Sequence, residues 1–460
     1  MGSFNPSTGV FSEFNIPTPN ALPEGIAVDG DGNVWFAELN PNALGELFPS
    51  NGSIRELSIP PGPFGLGCGP IGVTPHGGGS IWFTCEFSNQ IGEFVLANSS
   101  ITEFDLPVIF SAPLQILFDS SGNLWFPAAD MGMLGYATLT QMLPGTSEGI
   151  DEFPPLNSTY VNTIENSLLP SGKVETSLAI PSQIAFAPDG RSLWISEHGA
   201  GSFDRYDIVT KTLTKYFTSP PSSSLYSQSL PNGIAVDQLG NVWVAEHYGN
   251  RIAELDPSTG SMVEYPIPCC GTQIAAALYL TTGANGTVWF TENSGNAIGE
   301  LRPIEGSTPT SASASPNRIS MDSNGGATVT VEVTPGKGGT GESQTLSPEV
   351  EGVKRNGNLM NLTASFQPGN VTLESSPVTL TLNLKAAGLR PGVYYLTVGL
   401  RSSSTGVISS AVLEVTVSQG FETLWVATAV TVVAAVAVLL LLLRRESGRR
   451  RRRERPTGSP

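Results

Sequence analysis

Four glutamates recur at one position of a repeated segment and could supply metal ligands or acid–base groups. Each stands three residues after a tryptophan; they are Glu38, Glu197, Glu246 and Glu292. Carboxylate oxygens suit Ca²⁺ or Mg²⁺, so a ring of these side chains around one opening could hold a divalent cation. In a second interpretation each carboxylate is structural and accepts hydrogen bonds from backbone N–H groups of the next loop.

A fifth glutamate, Glu24, lies fourteen residues before Glu38 in the same repeat. It is the only charged residue at the position that begins the inner strand of each repeat, which holds Glu24, Ile71, Leu114, Ser182, Asn232 and Thr272. Across a hairpin this spacing brings Glu24 and Glu38 together, as metal ligands or as general acid and base. Asn232, at the equivalent position, is a candidate ligand-binding residue. The alternative is a solvated glutamate at the rim of a channel.

The chain contains three histidines, and two of them directly follow a repeated glutamate. His198 follows Glu197 and His247 follows Glu246, in adjacent repeats. Such glutamate–histidine pairs on neighbouring loops could form a proton-transfer, ligand-binding or metal site, although two surface histidines would give the same pattern. His76 is predicted to be a turn residue on the opposite face.

The tryptophans reveal the elements that must position these side chains. Six copies of an apolar strand, a Gly/Asn turn and a Trp-centred strand are spaced by 47, 43, 69, 49 and 46 residues; they contain Trp35, Trp82, Trp125, Trp194, Trp243 and Trp289. A period in the mid-forties is typical of β-propeller blades, which bury their faces by stacking in a ring. The sequence therefore predicts an all-β fold with a six-bladed β-propeller over residues 9–302.

A fourth strand motif predicts how the ring closes. It reads apolar-x-Glu-aromatic or -Leu, and its first copy, Phe11-Ser-Glu-Phe, precedes every Trp strand, whereas no copy follows Leu301. We therefore expect the N-terminal strand to complete the last blade and leave no free edge. The long interval after Trp125 contains an insertion, Pro155–Glu175, which marks either a binding face or a disordered decoration.

Four cysteines are too few for a disulfide-built scaffold. Cys68 and Cys85 fall at the two ends of one hairpin and are a candidate disulfide. The absence of a Cys-x-x-Cys segment argues against a zinc site.

Two segments of the repeats resemble a known family. Gly25-Ile-Ala-Val-Asp-Gly-Asp-Gly-Asn-Val-Trp-Phe-Ala-Glu38 and Val288-Trp-Phe-Thr-Glu-Asn-Ser-Gly-Asn-Ala-Ile-Gly299 resemble the virginiamycin B lyase, or streptogramin lyase, family. Gly240-Asn-Val-Trp-Val-Ala-Glu-His-Tyr-Gly-Asn-Arg-Ile252 is also similar to NHL repeats and gluconolactonase-like propellers.

The lyase resemblance implies an elimination that opens a cyclic depsipeptide lactone, with magnesium and a general-base histidine. It also implies histidines at the start of inner strands, with glutamate partners there and at the ends of Trp strands. Glu38 and Glu292 match the strand-end type and Glu24 begins an inner strand. No inner strand of this chain begins with histidine, which departs from the family pattern.

Composition changes after the repeats. Residues 303–316 form a Ser/Thr/Pro linker, and residues 317–418 contain alternating apolar runs typical of a β-sandwich. The segment Pro391-Gly-Val-Tyr-Tyr-Leu-Thr-Val resembles Ig-like modules of microbial surface proteins. We expect this domain to act as a spacer.

The C-terminal segment predicts a membrane anchor. Residues 424–443 are twenty residues without a charge, enough for one transmembrane helix. Residues 444–460 contain eight Arg and two Glu, so we expect them to be cytoplasmic and the N-terminal domains extracellular. Without this tail the formal charge falls from -17 to about -23, which argues against a nucleic acid partner.

Three functions remain open on this basis. The chain could be a membrane-anchored propeller that binds an extracellular ligand or protein beside Glu24, Glu38, Glu246 and Glu292. It could be an active Mg²⁺- or Ca²⁺-dependent lyase or lactonase that uses Glu24, Glu38 and His198 or His247. It could also be a protein-binding surface platform without chemistry. Clustering of these side chains around one cation-sized space would favour the enzyme.

Overall fold

A computed structural model describes residues 1–153, 180–199, 201–219, 229–268, 274–283, 286–302, 310–336, 344–351, 354–355, 358–359 and 361–418. This part of the chain is all-β apart from two short 3-10 helices, Pro63–Gly65 and Leu139–Gln141. None of its helices has the length and hydropathy needed to span a membrane. The predicted membrane segment 424–443, the basic tail 444–460 and the insertion 155–175 lie outside the described residues.

The chain begins with a hairpin and three antiparallel sheets of four strands each. The hairpin consists of β1 (Gly2–Asn5) and β2 (Val10–Glu13). Sheet 1 consists of β3 (Pro23–Val28), β4 (Val34–Glu38), β5 (Ala43–Phe48) and β6 (Ser53–Ser58). Sheet 2 consists of β7 (Pro70–His76), β8 (Ser80–Cys85), β9 (Gln90–Val95) and β10 (Ser100–Asp105). Sheet 3 consists of β11 (Leu117–Phe118), β12 (Leu124–Ala128), β13 (Met133–Ala137) and β14 (Ile150–Phe153).

Three further sheets continue the pattern. Sheet 4 consists of β15 (Pro181–Phe186), β16 (Ser192–Glu197), β17 (Ser202–Asp207) and β18 (Thr212–Phe217). Sheet 5 begins with β19 (Pro231–Val236), β20 (Val242–Glu246), β21 (Arg251–Asp256) and β22 (Ser261–Pro266). Sheet 6 consists of β23 (Ala277–Thr282), β24 (Val288–Glu292) and β25 (Ala297–Leu301). In each sheet the first strand is the inner strand and the second is the Trp strand.

The hairpin between the inner strand and the Trp strand is held by an aspartate. In sheet 1, Asp29 accepts hydrogen bonds from the backbone N–H of Asn33 at 2.8 Å and from the Trp35 indole at 2.8 Å. Asp119 bonds Trp125 and Asp237 bonds Trp243 in the same way, each at 3.0 Å. The repeated Asp–Trp spacing therefore fixes the hairpin and the position of a large buried side chain together.

Asparagines join successive sheets. Asn42, Asn89 and Asn250 have positive φ angles of 54° to 69°, a conformation that asparagine tolerates better than most residues. The Asn42 amide donates to the Ile59 carbonyl at 3.0 Å and accepts from the Gly69 N–H at 3.0 Å. The other two asparagines make equivalent pairs of bonds. These residues are therefore scaffold features.

The N-terminal strand does not extend the last sheet. In the described residues sheet 6 has three strands, and β2 pairs with β1 rather than with β25, so the predicted closure by this strand is wrong. The local turn explains the difference: the Asn5 side chain accepts from the backbone N–H of Ser7 and Thr8 at 3.0 and 3.3 Å, and Gly9 has a φ of 69°. The hairpin still lies against the last sheet, because the Phe4 ring is 5.6 Å from that of Trp289.

Strand register also corrects the start of the sixth inner strand. Ala277 pairs with Glu292 as Pro23 pairs with Glu38 and Pro231 with Glu246. The equivalent of Glu24 is therefore Leu278 and not Thr272, which lies outside the described residues.

A second unit follows, made of two sheets. One sheet contains β26 (Ser311–Ser315), β28 (Gly326–Thr334), β32 (Leu362–Gln367) and β34 (Val378–Ala386). The other contains β27 (Arg318–Asp322), β29 (Gln344–Glu351), β33 (Val371–Leu373), β35 (Gly392–Ser402) and β36 (Ile408–Ser418). A separate pair is formed by β30 (Lys354–Arg355) and β31 (Asn358–Leu359). The two sheets share one hydrophobic core, which includes Val331, Leu382, Leu396 and Val415.

This second unit is joined to sheet 5 edge to edge. β36 pairs antiparallel with β22, from Ser261↔Ala411 to Glu264↔Ile408, so the hydrogen-bonded sheet runs through both units. β26 lies inside the segment predicted as a linker, so the second unit begins earlier than residue 317. The predicted role as a simple spacer overlooked this attachment.

Candidate functional site

The sequence-predicted residues lie along one face of the stacked sheets, which we call the mouth face. It is formed by the loops before the inner strands and the loops after the Trp strands. These loops are hydrogen-bonded to one another: the backbone N–H of Leu39 donates to Leu22, and that of His198 to Ile180, at 3.1 and 2.8 Å.

Three of the four strand-end glutamates turn into the sheets rather than toward the opening. Glu38, Glu197 and Glu246 are fully buried. Each side chain lies over the third and fourth strands of its own sheet: Glu38 approaches Gly45 and Glu56. They therefore do not line the mouth as the metal and ligand-binding hypotheses expected.

Sheets 4 and 5 provide these buried carboxylates with cations. In sheet 5, Arg251 donates to Glu246 at 2.9 Å, and both side chains are almost completely buried. In sheet 4, Lys215 forms a buried ion pair with Asp204. Burial raises the pKa of Glu197 to about 8, against the opposing effect of Lys215 and with a further contribution from Asp204.

Sheet 1 has no such cation. Ala43 occupies the position of Arg251, and Glu56 that of Lys215. Neither carboxylate oxygen of Glu38 receives a hydrogen bond within the described residues. Burial, together with the adjacent Glu56 carboxylate, raises the pKa of Glu38 to about 7.

The strand-end glutamate was predicted to accept hydrogen bonds from backbone N–H groups of a loop. In the structure the glutamate of the fourth strand has this role. Glu56 accepts from the backbone N–H and hydroxyl of Thr18 at 2.9 and 3.1 Å. Glu264 accepts from the N–H and hydroxyl of Ser219 at 2.7 and 2.6 Å. Each carboxylate thereby holds the loop that enters its own sheet, so this repeated glutamate is structural.

Two histidines meet at the mouth face. Nε2 of His198 lies 3.3 Å from Nδ1 of His247, and the two residues come from the neighbouring sheets 4 and 5. Burial lowers the pKa of His198 to about 4, with a smaller contribution from His247, and burial also lowers the pKa of His247. Both imidazoles are therefore neutral at pH 7 and can exchange hydrogen bonds with a ligand.

Glu24 meets a residue that the sequence analysis missed. The Tyr279 hydroxyl, from sheet 6, lies close to the Glu24 carboxylate of sheet 1. Burial raises the pKa of Glu24, and the nearby Tyr279 hydroxyl opposes the rise. Burial and the charge of Glu24 raise the pKa of Tyr279 to about 12. The pair joins the last sheet to the first across the mouth face.

Two further acids lie close to Glu24. Burial raises the pKa of Glu86, and the nearby charges of Asp130 and Glu24 add to this rise. Glu86 follows the Trp strand of sheet 2 and Asp130 follows that of sheet 3. The mouth face therefore has an acidic side at sheets 1 to 3 and a histidine side at sheets 4 and 5.

The remaining candidates lie apart from these groups. Asn232 is largely buried and donates to the Leu278 carbonyl at 3.0 Å, which links two inner strands. Glu292 ends the Trp strand of sheet 6 and is partly exposed. Within the described part of the chain, no group of three or more His, Cys, Asp or Glu side chains is arranged to hold a metal ion. Glu24, Glu38 and Glu292 are thus not gathered into one metal centre there.

Cys68 and Cys85 form a disulfide bond at the mouth end of sheet 2. Cys85 takes the place of the strand-end glutamate of the other sheets, and both sulfurs are fully buried. The bond joins the start of the inner hairpin to its end.

The missed residues left a weak signal in the sequence. Tyr279 occupies the position of Gly25, Gly72 and Gly233 in other sheets. With the inner strands aligned by their observed register, the tyrosine stands out as an exception at a position that is glycine in three other sheets. The predicted start of the sixth inner strand, Thr272, precedes the observed start, so Tyr279 was not aligned with these glycines.

Comparison with known proteins supports the fold and the repeats. Residues 3–145 and 163–342, more than half of the chain, match the virginiamycin B lyase family. A solved streptogramin B lyase structure is 27% identical, with a TM-score of 0.52, and the match covers 65% of this chain and 85% of that one.

Two other matches are more distant or shorter. A catalytically inactive virginiamycin B lyase from Staphylococcus aureus, solved with quinupristin, is 22% identical with a TM-score of 0.51, covers 82% of this chain and 99% of that one, and shares the fold. Regucalcin from Gallus gallus is 33% identical over 67 residues, which span 13% of this chain and 22% of that protein. The propeller fold and the match over most of the repeats lead to one conclusion: the chain belongs to the virginiamycin B lyase family.

Proposed function

We propose that this chain is a membrane-anchored, extracellular β-propeller that binds a ligand on its mouth face. The observation that carries the proposal is the contact of 3.3 Å between His198 and His247. Two neutral imidazoles from different sheets present hydrogen-bonding nitrogens at one point. Glu24 and Tyr279 add a second polar pair on the same face.

The fold supports a detailed architecture for this protein. We infer that sheets 1 to 6 are six blades, with the N-terminal hairpin against the last blade and Glu24 of the first blade beside Tyr279 of the last. We infer that the second unit is an Ig-like sandwich, because its two sheets share one core and its strands alternate buried and exposed residues.

Two observations support an extracellular, anchored position. The Cys68–Cys85 disulfide is a bond that persists in oxidising compartments. Residues 424–443 are apolar and an arginine-rich segment follows them, which is the pattern of a single span with its N-terminal side outside.

The direction of β36 supports presentation of the mouth away from the membrane. β22 runs toward the mouth face, where Ile267 donates to Asn250. β36 is antiparallel to β22, so its C-terminal end, Ser418, points toward the opposite face. The predicted membrane span begins six residues after Ser418. A ligand in the extracellular space would then reach the mouth without obstruction by the membrane.

The His198–His247 pair also favours a second candidate, a lyase or lactonase acting on a cyclic ester. A general base must be unprotonated at working pH, and His198 has a pKa lowered to about 4 by burial. The family relationship implies magnesium, but the described residues do not gather three ligands. We therefore assign no step to a metal, and Mg²⁺ or Ca²⁺ at Glu24 stays a prediction.

Calorimetric titration of the full-length chain in nanodiscs with quinupristin tests the binding proposal. We expect binding that His198→Ala weakens about ten-fold, because a buried ligand group would lose its partner. His76→Ala, at the opposite end of an inner hairpin, is the matched control and should bind as the unmodified chain does. Equal affinities for His198→Ala and the unmodified chain would contradict the proposal.

Chromatography with mass spectrometry separates binding from catalysis. Elimination opens the lactone without a change in mass, whereas hydrolysis adds one water. Linear product of unchanged mass that disappears in His198→Ala would establish the lyase. Binding without product would leave a recognition protein. Titration with Mg²⁺ and Ca²⁺, with Glu24→Gln in parallel, tests the metal prediction in the same preparation.

A further inference from the structure

Six of the large apolar side chains exposed in the described residues lie on the loops of the mouth face in sheets 1 to 3. They are Leu22, Leu66, Phe87, Ile109, Phe110 and Met131, which we call the apolar crescent. Ile109 and Phe110 are 73% and 76% exposed. The other exposed large apolar side chains of the described residues are not on these loops: Val10, Phe11, Ile26, Val28, Leu143, Val209, Leu239 and Ile298. Of these, Ile298 is the second residue of β25 and lies near the mouth end of sheet 6.

The crescent is continuous because its loops are bonded to each other. The loop that follows the Trp strand of sheet 1 joins Leu22 to the loop of Leu66, because Leu39 donates to Leu22 at 3.1 Å and Asn42 bonds both Ile59 and Gly69. The Phe87 N–H donates to Cys68 at 3.0 Å, which joins the loop of Leu66 to that of Phe87. Asn89 donates to Val108 at 2.8 Å and accepts from Ser111 at 2.7 Å, which joins the loop of Phe87 to that of Phe110.

The last link connects the loops of Phe110 and Met131. There Ala129 donates to Ala112 at 3.1 Å and Asp130 to Ser111 at 3.3 Å. The six side chains therefore stand on one connected rim. Exposed apolar residues grouped in this way mark interaction surfaces.

The charge beside the crescent is negative. Glu24, Glu86 and Asp130 lie on the same side of the mouth, and after burial the charges of Asp130 and Glu24 raise the pKa of Glu86 further. None of the described mouth loops contains Lys or Arg. The surface therefore combines apolar contact with an uncompensated acidic centre.

We propose that the apolar crescent and its acidic centre bind a cationic peptide that carries aromatic or branched apolar side chains. The apolar side chains would cover the crescent, and lysine or arginine would pair with Glu24, Glu86 and Asp130. A second copy of this chain is disfavoured as the occupant, because the part outside the C-terminal tail has a formal charge of about -23 and copies repel. The inference rests on the proposed function only in using the same face.

The probe is a fluorescein-labelled heptapeptide of lysine, leucine and phenylalanine, followed by fluorescence anisotropy. The full-length chain is held in zwitterionic phosphatidylcholine nanodiscs, and empty nanodiscs give the background. Two control peptides replace lysine by glutamate, or leucine and phenylalanine by serine. We expect both to bind at least ten-fold more weakly than the probe.

Variants of exposed residues locate the surface. Ile109→Ser combined with Phe110→Ser should weaken binding of the probe peptide by roughly ten-fold or more. This is the effect expected from losing the burial of one large apolar side chain. Leu239→Ser is the matched control: this residue is 88% exposed on the opposite face, and its loss should leave affinity unchanged. Glu86→Gln should weaken binding several-fold and reduce its salt dependence.

The outcomes separate this inference from the proposed function. Equal binding of probe and control peptides, or equal losses in the crescent and Leu239 variants, would overturn the peptide surface. Quinupristin binding that depends on His198 would still stand in that case. Conversely, peptide binding that depends on the crescent survives a failure of the quinupristin titration.

Discussion

Sheets 1 and 5 share the same repeated residues, but they differ in how they accommodate the buried carboxyl of the strand-end glutamate. Both have an aspartate–tryptophan hairpin and an asparagine bracket. Both also end the Trp strand in a buried glutamate, Glu38 or Glu246, near a fourth-strand glutamate. Sheet 5 places Arg251 beside Glu246, whereas sheet 1 has Ala43 at the position of Arg251.

The difference shows two ways in which a sheet can reduce the energetic cost of burying a carboxyl group. Burial raises the pKa of Glu246, but Arg251 opposes the rise and bonds the carboxylate at 2.9 Å. Glu38 has no cation, and its pKa is raised to about 7. A carboxyl can remain in a sheet interior as one member of an ion pair or as a group that binds a proton near neutral pH.

The two sheets also differ at their outer edges. β22 of sheet 5 is covered by β36 of the second unit, whereas β6 of sheet 1 pairs only with β5 in the described residues. β35 of the second unit also contacts β18 of sheet 4. The Thr397 hydroxyl accepts from the backbone N–H of Phe217 at 3.2 Å, and the Tyr395 hydroxyl donates to the Leu213 carbonyl at 3.3 Å. The repeat unit is thus stabilised differently according to its neighbour.

The largest effect should follow removal of the sheet 5 cation. Arg251→Ala leaves Glu246 buried without its cation, and we expect a loss of about 3–5 kcal/mol in the free energy of unfolding. Urea denaturation measures it. Arg55→Ala, which removes the half-exposed ion pair with Glu46 in sheet 1, should cost less than about 1 kcal/mol. Similar losses in both variants would contradict the comparison.

Glu38 should make stability depend on pH with a definite sign. Its pKa is raised from 4.5 to about 7 in the folded chain, so the folded state holds the proton more tightly than the unfolded state. The stabilisation is present below pH 4.5 and is lost as the pH rises through 7.

Glu38→Gln removes this dependence. We expect the variant to gain roughly 1–3 kcal/mol over the unmodified chain at pH 8 and little at pH 4, measured by urea denaturation at each pH. Glu246→Gln should instead destabilise at pH 8, because Arg251 loses a charged partner. The same sign for both variants would show that the two carboxyls are equivalent.

Hydrogen exchange compares the two edges directly. Amides of β22 (Ser261–Pro266) should exchange at least about ten-fold more slowly than those of β6 (Ser53–Ser58), because β36 covers the former edge. Mass spectrometry of the corresponding peptides gives the rates. Equal protection would mean that the second unit does not remain paired with sheet 5.

The smallest effect concerns the loops held by the fourth-strand glutamates. Ser219→Ala removes a fully buried hydroxyl bond to Glu264 and should cost about 1–2 kcal/mol. Thr18→Val removes the equivalent bond to Glu56 at a partly exposed site and should cost about 0.5–1 kcal/mol. Thermal unfolding of both variants gives the ranking, and a reversed order would weaken the argument from burial.

Much of the propeller could be predicted from its repeats. The Trp spacing, the tight turns and the asparagine at the start of the third strand recur in most repeats. Because each depends only on residues within or next to one repeat, the sequence pattern is enough to predict it. The positions of His198 and His247 after adjacent Trp strands also placed them on neighbouring loops, where the structure brings their rings together.

The direction of the strand-end glutamates could not be predicted in this way. Glu38 and Glu246 occupy one repeat position, and their common inward orientation depends on the side chains of the third and fourth strands. Tyr279 was missed because its role requires Glu24, which lies more than two hundred residues earlier and in another sheet. Such contacts leave no periodic signal.

The sequence by itself determined the all-β repeats, their hairpins and the residues available for chemistry, because these depend on neighbours within one repeat. Only the tertiary structure decided that β2 pairs with β1, that β36 extends sheet 5 and that the carboxylates of Glu38 and Glu246 lie inside their sheets. Each outcome depends on which strand edge or side chain lies nearest in space. That proximity is determined by the fold of the whole chain and not by residues within one repeat.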